Sequence, residues 1–133
     1  MEKLAAYLAV ALGSALGGVG RFWLSGLTAQ RVGETFPWGT LVVNVSGSFA
    51  IGLFAALTGP DGRWIVSPRL SFFFTAGLCG GYTTFSSFSL QTLKLAQEGQ
   101  LLYALGNVAA SVAVCLLAVW LGHLLGQALS RKS

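Results

Sequence analysis

From Leu70 to Leu93 the chain carries no charged side chain, yet the middle of this stretch reads Gly77-Leu-Cys-Gly-Gly-Tyr-Thr-Thr-Phe-Ser-Ser-Phe-Ser-Leu90. About 20 apolar residues in helix cross the hydrocarbon core of a bilayer, and the run between Arg69 and Lys94 is long enough to do so. Backbone that leaves the helix at membrane depth is tolerated only where protein buries it or where it lines a polar cavity. The run therefore predicts a membrane helix broken midway. Its first half should end near Gly80-Gly81 and its second half begin near Thr83 or Thr84. A polar break of this kind points to a site, best suited to an ion.

The rest of the chain repeats the apolar pattern. Leu4–Gly20, Thr35–Pro60 and Gly99–Ser130 contain no Asp, Glu, Lys or Arg. Hydrophobic residues make up 54% of the 133-residue chain and charged residues only 9%, with mean hydropathy +0.71. A soluble domain carries about 25% charge. The expected fold is an all-α membrane protein with four transmembrane helices, near 4–27, 39–58, 69–95 and 101–126. They form a single domain over 1–133, with nothing left for a soluble catalytic module. Lys3 followed by an apolar run has the outline of a signal peptide, but the run is long for an h-region and reads as the first span.

The net charge of +4 comes from scattered Lys and Arg that form no patch, so nucleic acid is not an expected partner. With four spans, Lys3, Arg63, Arg69, Arg131 and Lys132 share one side of the membrane, against Arg31 and Lys94 on the other, joined by Arg21 where it reaches the interface. Lys and Arg bias sets orientation, and this bias is too weak to exclude insertion both ways. Cys79 and Cys115 fall inside predicted spans and read as small buried hydrophobes rather than a disulfide. Gly13 and Gly17, and again Gly122 and Gly126, form small-xxx-small pairs that allow close helix approach.

Polar residues at membrane depth nominate the site. Asn44 is followed at i+3 and i+4 by Gly47 and Ser48, which puts an amide, a gap and a hydroxyl on one face. Tyr103, Asn107 and Ser111 recur at i, i+4, i+8. Both sets have two readings, as glue between helices or as the lining of a polar pathway. Phe85 and Phe88 lie one turn apart among Thr83, Thr84, Ser86, Ser87 and Ser89; ordinary packing is one reading. The other uses the ring quadrupole, negative on the face and positive at the edge. Ring edges and hydroxyl donors together replace an anion's hydration without a fixed positive charge that would hold it too tightly to conduct. Arg21, the one strong charge inside a predicted span, reads as structural, near a span end. The predicted spans contain no carboxylate, which argues against proton-coupled export. One His and four acidic residues offer too little acid–base chemistry for an enzyme.

Taken together, Gly-Gly-Val-Gly-Arg21, Gly39-Thr40 through Asn44 to Gly47-Ser48-Phe49, and the Gly77–Ser89 motif make the chain resemble the small fluoride channels of the CrcB/Fluc family along its whole length. The resemblance implies a passive fluoride channel of the cell inner membrane. It implies an antiparallel, dual-topology homodimer with two pores in the membrane lipid. One structural sodium ion (Na+) would be held at the central interface by backbone carbonyls of Gly80 and Thr83 from each subunit. The fluoride pathway would be Phe85 and Phe88 with Thr84 and Ser87, Asn44 as a side-chain donor, and Tyr103, Asn107 and Ser111 as a polar track. Many family members have Glu where this chain has Gln91, and often serine where it has Asn107. The competing classes are a small dual-topology multidrug antiporter, disfavoured by the missing intramembrane carboxylate, and a non-transporting assembly subunit.

Overall fold

A computed structural model describes residues 1–131 and is helical almost throughout. Lys132, counted above among the termini-side charges, lies outside the described residues. Helix α1 spans Glu2–Val32, α2 Trp38–Thr58 and α6 Leu101–Arg131. These three, among the described residues, are each long and apolar enough to cross a membrane. Between α2 and α6 the polar run forms α3 (Pro68–Phe72), a π-helical segment (Phe73–Cys79), α4 (Gly80–Tyr82) and α5 (Phe85–Gln97).

Local chemistry sets these boundaries. Gly33 ends α1 in a left-handed conformation, φ 84°, with its N–H donating to the Ala29 carbonyl, a conformation glycine adopts without Cβ strain. No breaker intervenes before it, so α1 runs past the expected end near Leu27. Arg21 consequently sits well inside the helix rather than near its end, half-buried and without an ion pair among the described residues. Ser67 caps α3, its Oγ accepting from the Leu70 N–H at 3.3 Å, with Pro68 at the first helical position.

The Gly80-Gly81 pair does not break the helix. Gly80 has φ −65° and ψ −37°, ordinary right-handed helix. The helix stops only after Tyr82, where Thr83 (φ −81°, ψ 156°) and Thr84 (φ −151°, ψ 110°) are extended, and it restarts at Phe85. Gly81, with Gly77 one turn earlier, acts in packing. A Cβ on Gly81 would lie 2.6 Å from the Ser14 carbonyl oxygen, and one on Gly77 would lie 3.0 Å from Gly13 Cα. The expected Gly13/Gly17 pair meets this surface from α1 in backbone-to-backbone contact, and Gly122 does the same for α6 against Phe49 and Leu53 of α2. Lipid tails give apolar helices no reason to leave them, so association rests on such close van der Waals contact.

Helix α2 is the central element. It lies along α6 and touches α1 and the interrupted segment. Val43 is fully buried, Leu57 nearly so, and Phe54 stacks on Phe74 with ring centroids 4.2 Å apart. The outward residues of α1 and α6, such as Phe22, Trp23, Leu102 and Leu116, are large, apolar and exposed. That outside-apolar pattern suits a hydrocarbon solvent.

Candidate functional site

Three successive residues at the helix interruption are each engaged by α2. The Asn44 Nδ2 donates to the Thr84 carbonyl at 3.1 Å, and the Thr84 N–H donates to Asn44 Oδ1 at 2.7 Å. One side-chain amide thus satisfies both backbone groups of an extended residue, as a strand partner would. The pairing also fixes which way the amide faces, because only this orientation donates and accepts correctly. At Thr83 the side-chain methyl fills the gap left by Gly47, and a Cβ there would collide with it. At Tyr82 the hydroxyl pairs with Ser46 Oγ at 2.7 Å. Ser46 spends its own proton on the Val42 carbonyl, 2.7 Å away, so the tyrosine is the donor.

The restart of the helix is capped from within the motif. Thr84 Oγ1 accepts from the Ser87 N–H at 3.2 Å, donates to Ser87 Oγ at 3.1 Å, and lies 3.3 Å from Ser86 Oγ. The capping threonine supplies one of the bonds that the first turn of α5 lacks. Upstream, the Thr83 N–H closes the last turn on the Cys79 carbonyl at 2.9 Å. The Thr84 N–H would bond the Gly80 carbonyl in a continuous helix, but Asn44 takes it. The carbonyls from Gly80 to Thr83 are therefore those a helix end leaves without intrahelical donors. Gly80 is exposed.

Beside the interruption lies a groove of about 440 Å³, lined by Asn44, Ser48, Thr83, Thr84, Phe85, Phe88 and Ser111 among others. The two phenylalanines are 5.3 Å apart between ring centroids and tilted by 51°. Phe88 is buried, whereas Phe85 is 78% exposed on the single chain. No charged residue lines this groove.

The expected track on α6 divides. Asn107 is 2% exposed and sits in a directed chain of donors. Ser111 Oγ donates to Asn107 Oδ1 at 3.4 Å, Asn107 Nδ2 to Thr92 Oγ1 at 2.9 Å, and Thr92 Oγ1 to the Phe88 carbonyl at 2.7 Å. Of the three track residues only Ser111 reaches the groove. Tyr103 stands apart, half-exposed, with its ring 6.3 Å from that of Phe36. Thr92 escaped the sequence reading; its spacing of one turn beyond Phe88 was the available signal. Replacing Asn107 with leucine strips Thr92 and Ser111 of a buried partner. The expected loss is about 1–3 kcal/mol, read as a lower unfolding temperature in detergent.

A second cavity, about 620 Å³, opens at the end of the molecule where Phe36, Thr40, Gln91, Lys94 and Gln100 gather. The Oε1 atoms of Gln91 and Gln100 are buried and have no hydrogen-bond partner. Buried polar atoms facing a roomy cavity are positions that ordered water satisfies. Cys79 and Cys115 are free thiols, as expected. No cluster of three or more His, Cys, Asp or Glu able to hold a metal occurs among the described residues.

Apolar spanning helices around an uncharged groove of hydroxyls, an amide and phenyl rings define a small multi-pass membrane protein whose polar chemistry is gathered at one helix interruption. The chain belongs to the CrcB family: the family described as CrcB-like protein, Camphor Resistance (CrcB), matches residues 8–123. It is 64% identical over 117 residues to a protein of Rhodospirillum rubrum, covering 88% of this chain and 91% of that one. It is 55% identical over 125 residues to one of Methylocella silvestris, covering 94% and 95%. A protein of Opitutus terrae is 63% identical over 118 residues, covering 89% of each chain. All three relatives carry the name fluoride-specific ion channel FluC.

Proposed function

We propose that this chain forms a passive, fluoride-selective channel that lets fluoride leave the cytoplasm across the inner membrane. The observation that carries the reading is the uncharged groove in which Phe85 and Phe88 stand beside the Asn44 amide and the hydroxyls of Thr84 and Ser111. Phenyl edges are weakly positive, and the second Asn44 Nδ2 proton, with the Thr84 and Ser111 hydroxyls turned from their present acceptors, completes a shell for a small anion. Conduction needs binding strong enough to admit the ion and weak enough to release it. A cell needs such a route because neutral HF crosses membranes and ionises inside. The relatives' name, that of an ion channel and not of an enzyme, supports the same assignment.

In this reading the segment Pro68–Gln97 is the third of four membrane crossings, interrupted at mid-depth, and two chains pair antiparallel to give two pores. The open groove and the exposed Phe85 ring support pairing, because a second copy would close the one and cover the other. A sodium ion at the central interface fits the residues present. The carbonyls of Gly80 and Thr83 are hard oxygen donors; the Asn44 bond to the Thr84 N–H frees the first, and the Thr84 Oγ1 cap on the Ser87 N–H frees the second. Bound there, the ion would hold the two interruptions together and raise the local potential for anions. Thr84 and Ser87 hold the start of α5 in place beneath the phenylalanines, Asn107 braces Phe88 through Thr92, and Arg21 has a structural part in α1.

The test is fluoride efflux from liposomes containing the purified protein, followed with a fluoride electrode and repeated with chloride. Rapid fluoride loss without chloride loss is the expected result. Phe85→Ile and Phe88→Ile, which keep apolar bulk but remove the ring edge, are expected to cut flux at least about tenfold, the scale of losing some 1.4 kcal/mol at a barrier, while the protein still purifies as a dimer. Wild-type flux in both variants would remove the phenylalanines from the pathway. No fluoride loss from folded protein would remove the function itself.

A further inference from the structure

The outer face of α2, away from the groove, carries a furrow whose character changes along its length. At one end Leu24, Leu27, Thr28, Arg31 and Val32 of α1 face Trp38 and Val42 of α2 around a cavity of about 460 Å³. Trp38 and Val42 also line a second cavity of about 620 Å³, between α2 and α6, walled almost entirely by aliphatic and phenyl groups including Val45, Phe49 and Leu117. Trp38 and Val42 thus form a wall common to both cavities. Arg31 lies in the last turn of α1, exposed and without an ion pair among the described residues. No Asp or Glu lines either cavity.

We propose that this furrow binds an anionic phospholipid. The phosphate sits at the Arg31 guanidinium, which matches phosphate geometry through its fork of donors. The Trp38 indole lies at headgroup depth, where tryptophan is favoured. One acyl chain follows Leu27, Val42, Val45 and Phe49 toward the membrane interior. The charge decides the occupant. Basic pockets between membrane helices take anionic headgroups, and the exposed Arg31 guanidinium at the mouth of an apolar cavity with no Asp or Glu in its lining has that chemistry.

The experiment is native mass spectrometry of the purified full chain in detergent, with phosphatidylglycerol and phosphatidylcholine offered at equal concentration. The wild type is expected to retain phosphatidylglycerol preferentially. R31Q is expected to lower that preference about fivefold, the scale of one basic residue at an anionic surface, while R69Q, an exposed arginine away from the furrow, leaves it unchanged. Leu27→Trp fills the furrow with Arg31 intact and is expected to lose the lipid as well. Equal preference in wild type and R31Q would overturn the proposal. So would R31Q converting dimer to monomer with lipid retention unchanged, which would assign the face to a second copy. Stabilisation by inorganic phosphate equal to that by the phospholipid would overturn it too. None of these outcomes depends on fluoride flux, so the site stands or falls independently of the channel reading.

Discussion

Replacing Asn44 with leucine is expected to abolish the proposed fluoride flux and to lower the unfolding temperature of the protein in detergent. The cause lies in the backbone of Thr84, whose N–H and carbonyl both depend on the Asn44 side chain. Leaving a buried donor or acceptor unmade costs about 1–3 kcal/mol per group, so the variant loses about 2–6 kcal/mol at the interruption. Thr84 is 8% exposed, so little solvent reaches its backbone to replace the bonds. The chain then has a cheaper alternative, which is to return the Thr84 N–H to the Gly80 carbonyl and continue the helix. That change would swing Phe85 and Phe88 away from the groove and consume a carbonyl proposed to hold sodium. Asn44→Asp separates the two bonds, since a carboxylate accepts from the Thr84 N–H but cannot donate to its carbonyl. It should fall between wild type and leucine in stability. Wild-type stability and flux in Asn44→Leu would show that the interruption holds without its clamp.

The second large effect concerns two adjacent glycines. Gly17→Leu prevents assembly of the fold, whereas Gly18→Ala leaves it intact or slightly firmer. A Cβ at Gly17 would overlap the Leu78 carbonyl oxygen and lie 2.7 Å from the Tyr82 nitrogen, backbone atoms that cannot rotate aside. Helix α1 would have to withdraw from the segment that carries the interruption. Overpacking costs about 1–3 kcal/mol and sometimes more, and here it opens the contact that replaces hydrophobic association within lipid. At Gly18 a Cβ meets nothing within 4 Å, so alanine brings only its better helix propensity, up to about 1 kcal/mol. Size-exclusion profile and thermal unfolding of the two variants check the contrast. A folded, wild-type-like Gly17→Leu would mean that α1 does not need this approach.

Much of the architecture was legible because charge is so costly in a bilayer that apolar runs declare themselves. The range of α2 and the start of α6 follow directly from the uncharged stretches around them, while α6 runs on to Arg131, past the expected end at 126. The small-residue pairs were legible for a similar reason, since glycine at that spacing in an apolar helix has few other uses. The interruption was placed a little early. Gly-Gly looks like a breaker, but the Gly80 backbone is helical, and the missing side chain of Gly81 serves the contact with Ser14. What ends the helix is a bond from another element, which local propensity does not contain. The three residues in register on α6 have neighbours that the sequence does not contain. Periodicity puts Tyr103, Asn107 and Ser111 on one side of a helix, but the neighbours differ along that side. Asn107 meets Thr92, Ser111 meets the groove, and Tyr103 meets the Phe36 loop.

By itself the sequence determined that the chain is helical, that it lives in a membrane, and that its polar chemistry gathers around Thr83–Ser89. Each of these follows from solvation, because a backbone without water must bond to itself and a polar block within an apolar run must have partners. Only the tertiary structure decided who those partners are: Asn44 for Thr84, Ser46 for Tyr82, Gly47 for the Thr83 methyl, and Thr92 for Asn107. These pairings join residues from different helices, and their geometry is set by how closely glycine lets those helices approach.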